Sequence, residues 1–143
     1  MKNVLFIGIF LVQFSSSVFG QSSALGMWKS VDDKTGEAKS NVEIYERNGK
    51  VYGKIAKILT DKPDAKCTEC KGEKHNQPVL GLVIIEGLVK EGGVWKDGTI
   101  LDPEDGKTYG CSIWLAEGDP NQLKVRGKHW TGLYRTQTWY RVK

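Results

Sequence analysis

The stretch Val42-Glu43-Ile44-Tyr45-Glu46-Arg47-Asn48-Gly49-Lys50-Val51-Tyr52-Gly53-Lys54-Ile55 decides the fold class. Asn48-Gly49 is the strongest short hairpin signal, because both central residues of a type I′ turn need positive φ. The turn sets the register, with Tyr45 opposite Tyr52 and Glu43 opposite Lys54 on one side. Val42, Ile44, Val51 and Ile55 then fall on the other side. One face is polar and the other apolar, as in antiparallel strands half-buried against a core.

Outward from this hairpin the same pattern recurs. Strands are predicted over Gly26–Val31, Asn41–Arg47, Lys50–Leu59, Val79–Glu91, Val94–Leu101, Lys107–Leu115, Gln122–Lys128 and Leu133–Val142. Between them lie turn compositions: Asp32 to Gly36, Gly92-Gly93, Asp102-Pro103-Glu104-Asp105-Gly106, and Gly118 to Asn121. On the sixth strand Tyr109, Cys111, Ile113 and Leu115 share a face. No segment sustains a helical period. Eight sequential strands predict an all-β fold, an eight-stranded antiparallel up-and-down barrel, whose closure removes the sheet edges. Thr60 to Gln77 interrupts the pattern with Pro63, many charges and almost no apolar residue. A loop of this length in a small domain suits a lid or a mobile segment.

Met1-Lys2-Asn3 is a short cationic start, and Val4 to Phe14 is apolar apart from Gln13. Small residues follow, with Val18 two positions before a cut after Gly20. Residues 1–20 are therefore expected to be a secretory signal peptide, too short to span a bilayer, and residues 21–143 a single barrel domain. The expected location is periplasmic or extracellular. No cysteine follows the apolar run before Cys67, which speaks against a lipid anchor, and no membrane span is expected. Charged residues at 27% and hydrophobic ones at 39% are globular values. A net charge of +4 is too small for a strongly basic nucleic-acid binder, so no nucleic-acid partner is expected.

In an oxidising compartment Cys67, Cys70 and Cys111 leave one thiol over. Cys67 and Cys70 are read as members of a structural disulfide, within the pair or from one of them to Cys111. A redox pair is the first alternative, weakened because Lys71-Gly72-Glu73-Lys74 is a poor helix start. Zinc is the second, with His75 as a third ligand and no second Cys-x-x-Cys to complete it.

Gly26-Met27-Trp28 resembles the Gly-x-Trp signature of lipocalin and calycin barrels. The resemblance implies that Trp28 sits at the closed end, with Arg141 from the last strand packed across it as a cation on an aromatic face. From Gly26 to Val142 the chain resembles the bacterial family called domain of unknown function 2147. The match is carried by Val42-Glu43-Ile44-Tyr45, Tyr52-Gly53-Lys54-Ile55, Pro78-Val79-Leu80-Gly81-Leu82, Asp102-Pro103-Glu104-Asp105-Gly106-Lys107-Thr108-Tyr109, Leu123-Lys124-Val125-Arg126-Gly127 and Arg135-Thr136-Gln137-Thr138-Trp139. That resemblance implies a secreted, lipocalin-like barrel with no assigned activity. The Cys67-x-x-Cys70 loop occurs in only some members, which argues against a shared role for it.

Arg135, Gln137, Trp139 and Arg141 alternate onto one strand face. If Trp139 faces inward, Arg135 needs a carboxylate or an anionic ligand, and Asp102 and Glu86 are the internal partners considered. The bland alternatives are an internal polar network or a solvated outer face. The sharper reading places Arg135, Gln137, Trp139 and Tyr109 in a pocket for a small apolar or amphiphilic molecule, with Thr60 to Gln77 as its lid. Lys124, Arg126 and Lys128 share a face that suits either solvent or an anionic surface. Lys107 and Tyr109 show no nucleophile beside them. There is no nucleophile elbow, phosphate loop or His-Glu-x-x-His, and the chain holds two histidines. Neither enzyme activity, cofactor nor metal is expected. The runner-up function is an envelope structural or interaction module whose barrel is filled by its own Trp and Tyr side chains.

Overall fold

A computed structural model describes residues 23–143; the expected leader lies outside the described residues. Eight strands form one closed antiparallel barrel in sequential order: β1 Gly26–Val31, β2 Ala38–Arg47, β3 Lys50–Ile58, β4 Val83–Glu91, β5 Val94–Leu101, β6 Thr108–Ala116, β7 Asp119–Lys128 and β8 Tyr134–Arg141. The up-and-down barrel read from the sequence is the observed fold. Asn48 and Gly49 take φ of 52° and 77°, so the turn is of the expected kind, and Tyr45 pairs with Tyr52 and Glu43 with Lys54. Val42, Ile44, Val51 and Ile55 are all buried.

Several boundaries differ from expectation: β2 begins at Ala38 and β7 at Asp119, each three residues before the predicted start, and other ends shift by one residue. β4 begins at Val83, not Val79, because Gly81 (φ 85°) turns the chain and Gly81 N–H donates to the Ile55 carbonyl instead of continuing the ladder. β8 begins at Tyr134, since His129 N–H donates to the Leu133 carbonyl and closes a five-residue turn. Gly98 holds one irregular step. A Cβ there would strike the Glu86 carbonyl, so the close approach of β4 and β5 requires glycine.

The two ends of the barrel are unlike. At the first, Trp28 is fully buried and its indole N–H donates to the Ala24 carbonyl at 2.7 Å. Around and above it Ile44, Leu88, Trp95, Ile113 and Leu123 are buried and fill the interior. At the other end lie four connections: Asp32 to Glu37, the long segment after Ile58, Asp102 to Lys107, and His129 to Leu133. The long segment is fastened. Cys67 N–H donates to Gln77 O, Asn76 N–H to Cys67 O and Val79 N–H to Ala65 O. Its only helical piece is the short 3-10 turn Gly72–Lys74.

Candidate functional site

The hollow half of the barrel opens among those four connections. A cavity of about 810 Å³ descends from them into the interior. Its apolar floor is Ile55, Ile84, Ile100, Val125 and Trp139, of which Trp139 is 2% exposed. None of Trp28, Ile44, Leu88, Trp95, Ile113 or Leu123 reaches it. The interior is thus solid below and empty above. Strand alternation explains the floor, since β7 and β8 turn Val125 and Trp139 inward at adjacent levels.

Polar groups are set into the wall. Ser30 and Ser40, both buried, face each other across β1 and β2 with their hydroxyl oxygens 2.9 Å apart. The Ser40 N–H donates to the Ser30 hydroxyl at 3.1 Å. Gln137 accepts the Trp139 indole N–H at 3.0 Å. Tyr109 donates its hydroxyl to Asp105 at 2.9 Å, and that bond raises its pKa.

The rim is charged and in part internally paired, with Lys62 and Lys66 lining it outside any ion pair among the described residues. Arg135 donates through Nε to Asp33 at 2.7 Å, and its terminal nitrogen contacts Asp33 as well as Asp32 at 3.6 Å. The guanidinium hydrogen bond holds the Asp33 carboxyl below its ordinary range. Asp32 is also lowered, chiefly by the N–H groups of Thr35 and Lys34. Lys39 meets Glu37 at 3.1 Å and Glu104 at 3.3 Å, the latter tying β2 to the β5–β6 turn across the mouth. Asp102 differs: desolvation raises its pKa, although its carboxylate accepts the Glu104 N–H at 2.9 Å.

Arg135, Gln137, Trp139 and Tyr109 therefore line one cavity. The expected partners of Arg135 are corrected. Arg135 lies at the rim, where Asp33 and Asp32 hold it, while Glu86 pairs outside with Lys74 at 3.2 Å and Asp102 lines the cavity without an ion pair. The reason is topological. β1 and β8 pair only at Trp28–Arg141 and Lys29–Tyr140, so the strands part towards the mouth and the β1–β2 turn reaches Arg135. Sequence reading missed Asp33, Ser30, Ser40 and Lys39. Parity with buried Trp28 was a signal for Ser30; nothing local marked Asp33.

Arg141 stands at the opposite end, its guanidinium 4.2 Å from the Trp28 ring centre. It donates to the carbonyls of Ser23, Leu25 and Pro120, drawing the N-terminal segment across the barrel bottom. Cys67 and Cys70 form a disulfide, with Cα atoms 5.3 Å apart. Both are buried, and Cys67 Sγ lies 3.6 Å from the Pro103 carbonyl oxygen. A bridged sulfur carries no proton, so this is packing. Gly106 completes the joint, because a Cβ there would run into the Glu69 carbonyl. Cys111 is a free thiol buried in the wall, and desolvation pushes its pKa up to about 12. No group of three or more potential metal ligands occurs among the described residues. No described helix is long and apolar enough to cross a membrane.

Comparison with solved structures finds the same barrel in HP1028 from the human pathogen Helicobacter pylori, described as belonging to the lipocalin family. The two share 22% identity over 85% of this chain and 84% of that one, with a TM-score of 0.72. At this identity the likeness establishes a lipocalin-like fold. Among curated proteins no match is found. The description of an uncharacterized protein conserved in bacteria, DUF2147, matches residues 26–141, nearly the whole described barrel. The chain belongs to the DUF2147 family.

Proposed function

We propose that this protein is a carrier or receptor for a small apolar or amphiphilic molecule, held in the upper half of the barrel, outside the cytoplasm and without catalysis. The observation that carries the reading is the 810 Å³ cavity with an apolar floor and a polar wall. Its volume lies within the ~300–1,000 Å³ typical of small-molecule sites. An apolar body would rest on Ile55, Ile84, Ile100, Val125 and Trp139. A polar end would meet Ser30, Ser40, Tyr109 and the rim. Arg135 and Lys39 already have carboxylate partners, whereas Lys62 and Lys66 line the cavity without an ion pair among the described residues, so an anionic head group can be met without displacing Asp33 or Glu104. A hydroxylated end would meet Ser30, Ser40 and Tyr109 instead. Access runs beside Arg135, where β1 and β8 cease to pair.

Support for this reading over the filled-barrel module comes from where the aromatics sit. Trp28 and Trp95 pack the closed half, and Trp139 forms the cavity floor instead of plugging the mouth. The thiol-redox alternative is weakened because the Cys67–Cys70 bridge is packed under Pro103. The test is a titration of delipidated protein with fatty acids, fatty alcohols and isoprenoid alcohols, followed by displacement of a fluorescent apolar probe. Saturable one-to-one binding of an amphiphile is expected. A protein that stays empty against the whole panel overturns the proposal.

A further inference from the structure

Four large apolar or aromatic residues among the described ones expose more than half of their surface: Trp130 at 89%, Leu133 at 76%, Tyr134 at 63% and Leu80 at 51%. All four lie at the cavity-bearing end. Three belong to the β7–β8 hairpin tip, where a tight turn from His129 to Leu133 fixes the backbone. Exposed apolar side chains scattered singly need no explanation, but a concentration at one tip does.

The face behind this tip is basic. Lys124, Arg126 and Lys128 point outward from β7, and their cross-strand neighbours are Trp114, Ser112 and Gly110 on β6 and Thr138, Thr136 and Tyr134 on β8. No carboxylate stands in these three rows. Arg126 lies 4.2 Å from the Tyr134 ring centre and 4.9 Å from that of Trp114, and donates to Thr136 at 2.9 Å. Lys124 donates to Thr138 at 2.7 Å. None of the three makes an ion pair with a described residue, whereas Arg135 and Lys39 at the rim are each held by acids. The positive charge on this face is therefore held in no ion pair among the described residues, and it adjoins an apolar tip.

We propose that the β7–β8 tip and the basic face behind it dock the barrel on an anionic lipid bilayer, with Trp130 and Leu133 seated at the head-group level. Indole rings favour that level, where an apolar body and a polar N–H are both accommodated. Lys and Arg beside them are attracted to anionic head groups and lose that attraction in salt. The same cations would attract an acidic polysaccharide or a nucleic acid, but Leu133 offers such partners nothing to stack upon. An aliphatic side chain beside an exposed Trp suits acyl chains.

The experiment is vesicle flotation, using protein purified from the cells that make it, with the N-terminus it then carries. Vesicles containing phosphatidylglycerol are compared with pure phosphatidylcholine, at low and high salt. Wild type is expected to float with the anionic vesicles at low salt, and to remain behind with phosphatidylcholine. Trp130→Ala/Leu133→Ala should weaken anionic binding at least about tenfold, as should Lys124→Glu/Lys128→Glu, whereas Trp130→Phe should retain most of it. These side chains lie outside the core, so unchanged circular dichroism is the check that the variants fold. Three results overturn the proposal: no flotation of wild type, flotation indifferent to both double variants, or complete release by a soluble acidic polysaccharide that itself binds in the absence of vesicles. Flotation needs no occupant in the cavity, so this inference and the ligand reading fail separately.

Discussion

Trp28 and Arg141 show what a residue pair contributes at the closed end. The indole is fully buried, and the guanidinium both covers it and holds Ser23, Leu25 and Pro120 by their carbonyls. Trp28→Ala should cost about 3–5 kcal/mol, the usual range for emptying a core aromatic site. Arg141→Met keeps the stem but removes the cation and its hydrogen bonds, and should cost less, about 1–3 kcal/mol. Urea denaturation of both variants checks the order. Asp102 makes a prediction of opposite sign. Its folded pKa is raised above 3.8 because burial disfavours the charge. The folded state therefore holds this proton more tightly, and the group's contribution is present at low pH and lost as pH rises through the raised pKa. Asp102→Asn preserves the acceptor for Glu104 N–H and removes the charge, so it should raise the melting temperature at pH 7. Well below pH 3.8 the gain should vanish; an equal gain at both pH values would contradict the desolvation account.

At the scale of elements, the disulfide segment and the β1–β8 seam carry the predictions. The Cys67–Cys70 bridge closes a very short loop, with a sequence separation of 3, so chain entropy allows it only ~2 kcal/mol. Cys67→Ser/Cys70→Ser should lower stability by about that amount and leave the barrel intact by circular dichroism. Because Gly106 receives the Glu69 carbonyl, Gly106→Ala should loosen the same joint, visible as faster amide exchange at Cys67 and Asn76. Arg135→Ala removes the ties to Asp33 and Asp32 where the strands part, and should speed ligand release several-fold with little change in stability. Stopped-flow displacement of a bound apolar probe reads that rate. The strands themselves were legible in the sequence, because alternation and the Asn48-Gly49 turn are local signals. The partner of Arg135 was not, since Asp33 lies 102 positions away and meets it only because the seam opens. The start of β4 was missed for a related reason: Gly81 bonds back to Ile55, a contact between distant segments. Alternation placed Gln137 and Trp139 on one face, but it carried no information on how deep each sits.

The whole molecule is a barrel packed to half its height. The Trp28 half resembles any close-packed interior, and the half above Trp139 is enclosed by charged loops strapped together through Lys39–Glu104 and the disulfide segment. Filling the cavity should abolish its use without harming the fold. Ile58 and Ile100 are only partly buried and line it, so Ile58→Trp/Ile100→Trp should weaken ligand binding at least about tenfold, equivalent to ~1.4 kcal/mol, with little loss of stability. The hollow upper half, as a site for a small apolar or amphiphilic molecule, is the central claim. Native mass spectrometry of the protein purified from its own cells tests it most directly. A single small molecule at one-to-one stoichiometry is expected on the wild type, absent after organic extraction and absent from Ile58→Trp/Ile100→Trp. A wild-type mass equal to the bare chain, unchanged after exposure to neutral and anionic amphiphiles, would contradict it.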